Sequence, residues 1–101
     1  MANTPKALWR GNTTTSLVQV YQAPNPGQTI VTNIVVANSG TTPATVLIYV
    51  SGVILVPTMS VPGNGIFTLD IAQPMDAAGT IKVQGSSTTC AVHIAGVEVS
   101  A

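Results

Sequence analysis

The chain has 101 residues and a mass of 10.3 kDa, the size of one domain. Only 6% of its residues are charged, against about 25% in a typical domain. Three cations balance three anions, and no charge at all falls between Arg10 and Asp70, which excludes a phosphate-neutralising basic patch, an acidic tract and a polybasic membrane anchor. Neither nucleic acid nor membrane is therefore an expected partner. Polarity comes instead from 14 Thr, 7 Ser, 6 Asn and 5 Gln. A protein with net charge near zero tends to associate, so the composition fits a surface that is covered in an assembly. Disorder is excluded by an apolar content of 46%, distributed in strand-length runs. "MANTPKALWRG" has no apolar core of signal-peptide length. A single cysteine builds no internal disulfide.

Val, Ile and Thr dominate, turn residues recur every 8 to 12 positions, and no long 3.6-residue apolar period occurs. "KALWRG" (6–11) is predicted as a first strand or an extended N-terminal arm within residues 1–10. "SLVQVYQ" (16–22) is a strand, and "APNPG" is a turn whose prolines keep it out of any ladder. "QTIVTNIVVAN" (28–38) is the longest strand. Strict alternation puts Ile30, Thr32, Ile34 and Val36 on one face and Val31, Asn33 and Val35 on the other. "ATVLIYV" (44–50) and "VILVP" (53–57) flank Ser51-Gly52, a two-residue hairpin turn where Gly supplies positive φ. "ATVLIYVSGVILVP" is too short for a transmembrane helix and is broken by that turn. "IFTLDI" (66–71) alternates cleanly, "AQPMDAAG" (72–79) is a connection with room for one helical turn, and "TIKVQG" (80–85) and "CAVHIAGVEVS" (90–100) close the set. The expected fold is an all-β antiparallel sandwich of about eight strands, jelly-roll or immunoglobulin-like, with a small closed barrel as the alternative. Residues 1–101 form a single domain on this reading.

The last strand collects the scarce reactive types Cys90, His93 and Glu98. Cys90 and His93 are three apart, so in a regular strand they point to opposite faces and form no nucleophilic dyad. Cys90 reads as a buried thiol. An isolated strand glycine often marks a bulge, and one at Gly96 would turn Val92, Ile94, Val97 and Val99 inward. It would also leave His93 and Glu98 together on the outward face as subunit contacts. A zinc site wants about four clustered ligands, which this chain lacks, although one His93 per subunit on a symmetry axis stays open. No G-x-S-x-G or phosphate loop is present. With too few groups to supply acid, base and nucleophile, the chain is expected not to be an enzyme, and no cofactor is expected. Trp9 lies beside Lys6 and Arg10 and admits three readings: a cap on the core, an anchor to a partner protein, or a platform for a sugar ring.

The run "LWRGNTTTSLVQVYQAP…GQTIVTNIVVANSGTTPATVLIYVSG", followed by "VPGNGIFTLDI", "AAGTIKV" and "VHIAGVEVS", resembles small β-sandwich structural proteins of tailed phages, particularly of actinobacterial hosts. The resemblance covers nearly the whole chain and consists of strand and turn patterns. It implies a capsid decoration protein on the virion exterior, binding the major capsid protein and itself as a trimer. The alternative it implies is a minor tail or tail-tip protein. A carbohydrate-binding module is the alternative of another class. Lys6, Trp9, Arg10, His93 and Glu98 are the expected interface residues.

Overall fold

The computed structural model describes residues 3–100. Met1 and Ala2 of the proposed arm, and Ala101, lie outside the described residues. Eight strands follow one another: β1 (Asn3–Asn12), β2 (Val18–Gln22), β3 (Gly27–Asn38), β4 (Ala44–Val50), β5 (Val53–Val61), β6 (Ile66–Met75), β7 (Thr80–Gly85) and β8 (Cys90–Ser100). They form two antiparallel four-stranded sheets. Sheet I has the order β1-β8-β3-β6 and sheet II the order β2-β7-β4-β5. The pairs β1–β8, β2–β7, β3–β6 and β4–β5 are nested, as in one long hairpin wound around a sandwich, and alternate between the sheets. This is the jelly-roll arrangement. It selects one of the two expected topologies and replaces the closed barrel with two separate layers.

Burial follows the two-residue period. Val46, Ile48 and Val50 of β4, Ile81 and Val83 of β7, Ile34 and Val36 of β3, and Cys90, Val92 and Ile94 of β8 all point between the sheets. Each such side chain contributes on the order of 1.5–3 kcal/mol on burial. The folded surface of 5248 Å² agrees with the roughly 5,400 Å² expected for this mass. At the β4–β5 hairpin Ser51 and Gly52 both have positive φ, 53° and 80°, as a type I′ turn requires.

The structure decides or corrects the sequence reading in four places. At the N-terminus it takes the first strand rather than the extended arm: residues 3–10 belong to β1, an edge strand paired along its length with β8. β5 does not stop at Pro57 but runs to Val61, because β5 is an edge strand and Pro57 sits in a bulge opposite Leu47, where no ladder donor is needed. No helical turn follows residue 71, since β6 continues to Met75 and carries Pro74 on the other free edge of sheet I. Pro5 occupies the β1 edge in the same way. These prolines and bulges block strand addition from outside.

The fourth difference concerns the bulge. At the level of Gly96 the register does shift, but the extra residues are Leu8 on β1 and Thr32 on β3, while β8 passes through unbroken. Alternation in β3 therefore switches at Thr32: Thr29 and Val31 face inward before it, Ile34 and Val36 after it. In β1 the bulge lets the consecutive residues Leu8 and Trp9 both pack on the core. Gly96 is the residue these bulges require. A Cβ there would lie 2.4 Å from the Ile30 carbonyl oxygen and 2.9 Å from Leu8 Cδ1.

Candidate functional site

The five expected interface residues separate into three places. The first is a polar cluster near the end of the sandwich where β8 finishes. Because β8 keeps its alternation past Gly96, Glu98 shares the inward face with Ile94 and pairs in register with buried Thr29. It does not join His93 outside, and Val97 and Val99 lie on the outer face, half-buried, rather than in the core. Tyr21 of β2 reaches across from sheet II, donates its hydroxyl hydrogen to Glu98 Oε2 and lies 2.9 Å from Thr29 Oγ1. Lys6 Nζ donates to Glu98 Oε1 at 3.2 Å. The Tyr21 hydrogen bond holds the Glu98 carboxyl below its ordinary value, burial works against that, and Lys6 adds to the lowering. Burial, followed by the bond to Glu98, pushes the Tyr21 hydroxyl up to about 12. The cluster ties the two layers together, and every buried side-chain polar atom among the described residues is satisfied.

The second place is the outer face of sheet I. Arg10 and His93 sit directly opposite each other there, on β1 and β8, both exposed. Continuing across the sheet, His93 pairs with Val35 and Val35 with Thr68. The next row is Ala7, Ala95, Asn33 and Asp70, in which Asn33 Nδ2 donates to Asp70 Oδ1 at 2.7 Å. The flanking rows are Asn12, Ala91, Ala37 and Ile66 on one side and Pro5, Val97, Ile30 and Pro74 on the other. The face is thus a field of small and β-branched apolar side chains carrying three ionisable groups.

The third place is a cleft of about 240 Å³ along the open side of the sandwich, where β1 and β2 face each other without pairing. Trp9 forms one wall, with Asn12, Thr14, Gln19 and Val20 among the others. The indole lies close over Gly11, where a Cβ would come within 2.6 Å of the ring. Trp9 therefore caps the core and lines the cleft at once. It does not meet Arg10, which points to the opposite side of the same strand.

Cys90 is fully buried, and burial pushes its thiol up, only partly offset by a hydrogen bond with Thr89. It faces inward while His93 faces out, as strand geometry requires. Among the described residues no group of three His, Cys, Asp or Glu side chains is placed to hold a metal ion. No described helix is long and apolar enough to cross a membrane.

Tyr21 and Thr29, the partners of Glu98, were not anticipated. The signal was the even numbering that Glu98 shares with Cys90, Val92 and Ile94, which the expected bulge at Gly96 obscured. Asp70 and the apolar rows were missed because they become one surface only once β8 is placed between β1 and β3.

No protein-family model matches the chain, and neither does any curated protein. Among solved structures it is similar to an exo-β-1,3-galactanase from Phanerochaete chrysosporium, solved with galactose. The TM-score is 0.44 and the identity 14%, over 98% of this chain and 29% of that one. The chain thus spans under a third of the galactanase, and an overlap this distant carries no argument about activity.

Proposed function

We propose that the chain is a non-enzymatic structural protein of a phage virion, a decoration protein that binds the outer surface of the capsid lattice and stabilises the head. The observation that carries this reading is the outer face of sheet I: a broad surface of small and β-branched side chains that carries Arg10, His93 and Asp70, on a chain with very few charges anywhere. Such a surface suits many weak contacts repeated by symmetry, which together give avidity. Contacts made only by the assembled shell stabilise it by mass action. The resemblance of its strand and turn pattern to phage structural proteins points to the same class. Antibody-gold labelling of intact virions assembled in cells that express this chain tests it. Label over the head is expected. Label at the tail tip favours the tail-protein reading, and virions free of label overturn both.

The cleft beside Trp9 favours a second reading, a carbohydrate-binding module, since a cleft walled by an indole and lined by Thr14 and Gln19 suits a sugar ring. That reading expects a glycan-array signal lost in Trp9→Ala. The decoration reading expects no such signal.

A further inference from the structure

The outer face of sheet I carries opposite charges on its two edges. Arg10 is on β1, and Asp70 is on β6 at the far side of the sheet. Three strand spacings separate them, about 14 Å, which is too far for a pair within one chain. Lys6–Glu98 is the ion pair found among the described residues, so Arg10 has no acidic partner of its own. Between the two edges the face is mainly apolar, with Ile30, Val35, Ala37, Ala91, Ala95 and Val97 along the central strands β8 and β3, interrupted by His93 and Asn33. Side chains this small let a second sheet approach to the roughly 10 Å spacing of packed layers.

We propose that this face is the contact between two copies of the chain, packed face to face about a twofold axis parallel to the strands. That operation lays β1 of each copy over β6 of the other and β8 over β3. Arg10 of each copy then meets Asp70 of the second copy, twice by symmetry, as an isologous interface requires. The rows of Arg10 and Asp70 are adjacent, and the length of an arginine side chain spans the offset. His93, the third ionisable group of the face, comes to lie over the strand that carries Asn33 and Val35. The face fits within the 45 × 21 Å outline of the molecule, close to the ~800 Å² that each partner contributes to a standard interface. Prolines and bulges close the sheet edges to strand addition, so association through sheet I uses its face. The pairing occupies the face that carries the virion reading, so a second copy and the capsid lattice compete for it; sedimentation of the free chain reads the pairing, and labelling of virions reads the lattice contact.

Sedimentation equilibrium of the full chain tests the proposal, with Arg10→Asp, Asp70→Arg and the double exchange beside it. The expected species at about 100 µM has twice the 10.3 kDa chain mass. Each single reversal places like charges together and should weaken pairing by about 10-fold or more. The double exchange restores the complementarity and should return the dissociation constant to within about threefold of the parent. Both residues are exposed on the outer face, so far-UV circular dichroism should be unchanged and certifies folding in each variant. A monomer at that concentration, a threefold species, or a double exchange as weak as the single changes overturns the proposal.

Discussion

The two sheets bury equivalent inner faces but present different outer ones. Sheet II shows Gln19, Lys82, Tyr49 and exposed Ile54 in one row, Gln84 and Leu47 in the next, and Thr45 with Ser60 beyond, while its edge strands also expose Val18, Val53 and Met59. Sheet I shows alanine, valine and isoleucine over much of its central strands, with Arg10, His93, Asn33, Asp70 and Thr68 set among them. Isolated exposed apolar residues are ordinary, whereas a contiguous apolar face marks a contact. Both sheets obey the same two-residue period, so the difference lies in the outward positions. The central strands of sheet I carry small and β-branched side chains outward, whereas those of sheet II carry longer and more polar ones, with the large apolar residues on its edges.

Matched substitutions break this comparison most sharply. Ala95→Glu, at the centre of the sheet I face, should abolish self-association, at least a 30-fold loss for a charge placed in the middle of an interface. Gln84→Glu, on the sheet II face, should leave the sedimentation profile unchanged. Equal effects would mean that the two faces are equivalent. Next in size is Gly96→Ala. The added methyl meets the Ile30 carbonyl and Leu8, and overpacking against backbone should cost about 1–3 kcal/mol in urea denaturation. Full stability would refute the account of the bulges on β1 and β3.

A smaller effect is expected at the cluster that ties the layers together. The Glu98 carboxyl lies below its ordinary value in the folded protein, so it binds fewer protons folded than unfolded in that range. Its contribution is present at neutral pH and is lost as pH falls through the lowered value. Glu98→Gln should therefore cost about 0.5–1 kcal/mol at pH 7 and converge with the parent in acid, read from denaturation at a series of pH values. Tyr21 behaves in the opposite sense. With its hydroxyl raised to about 12, stability is complete below pH ~10 and falls between there and about 12, and absorbance at 295 nm should titrate late. Smallest of all is Cys90, which should react with a thiol reagent only at the rate at which the protein opens, because its thiol is fully buried and raised.

Strand content was legible in the sequence because side chains of a half-buried strand alternate whatever they pair with. β4, the front of β6 and β7 appear as expected, and so does the Ser51-Gly52 turn, where both residues take positive φ. The inward thiol of Cys90 and the outward His93 followed from the same rule. What the sequence misplaced was the break in that rule. The parity change among Val92, Ile94, Val97 and Val99 pointed to a bulge at Gly96, whereas the extra residues belong to Leu8 and Thr32 on the neighbouring strands.

A bulge is a property of a strand pair, and the chain does not record which partner absorbs the extra residue. The same holds for Pro57 and Pro74, which read as terminators and prove to be tolerated because β5 and β6 are edges. By itself the sequence determined an all-β chain, its strands, its tight turn and its nearly chargeless surface, since these rest on local periodicity and composition. Only the tertiary structure decided strand order, which neighbours bulge, that Glu98 turns inward to Tyr21, and that Arg10 and Asp70 mark opposite edges of one mainly apolar face. Those depend on contacts between residues as far apart as Lys6 and Glu98, and such contacts exist only once the sheets have closed.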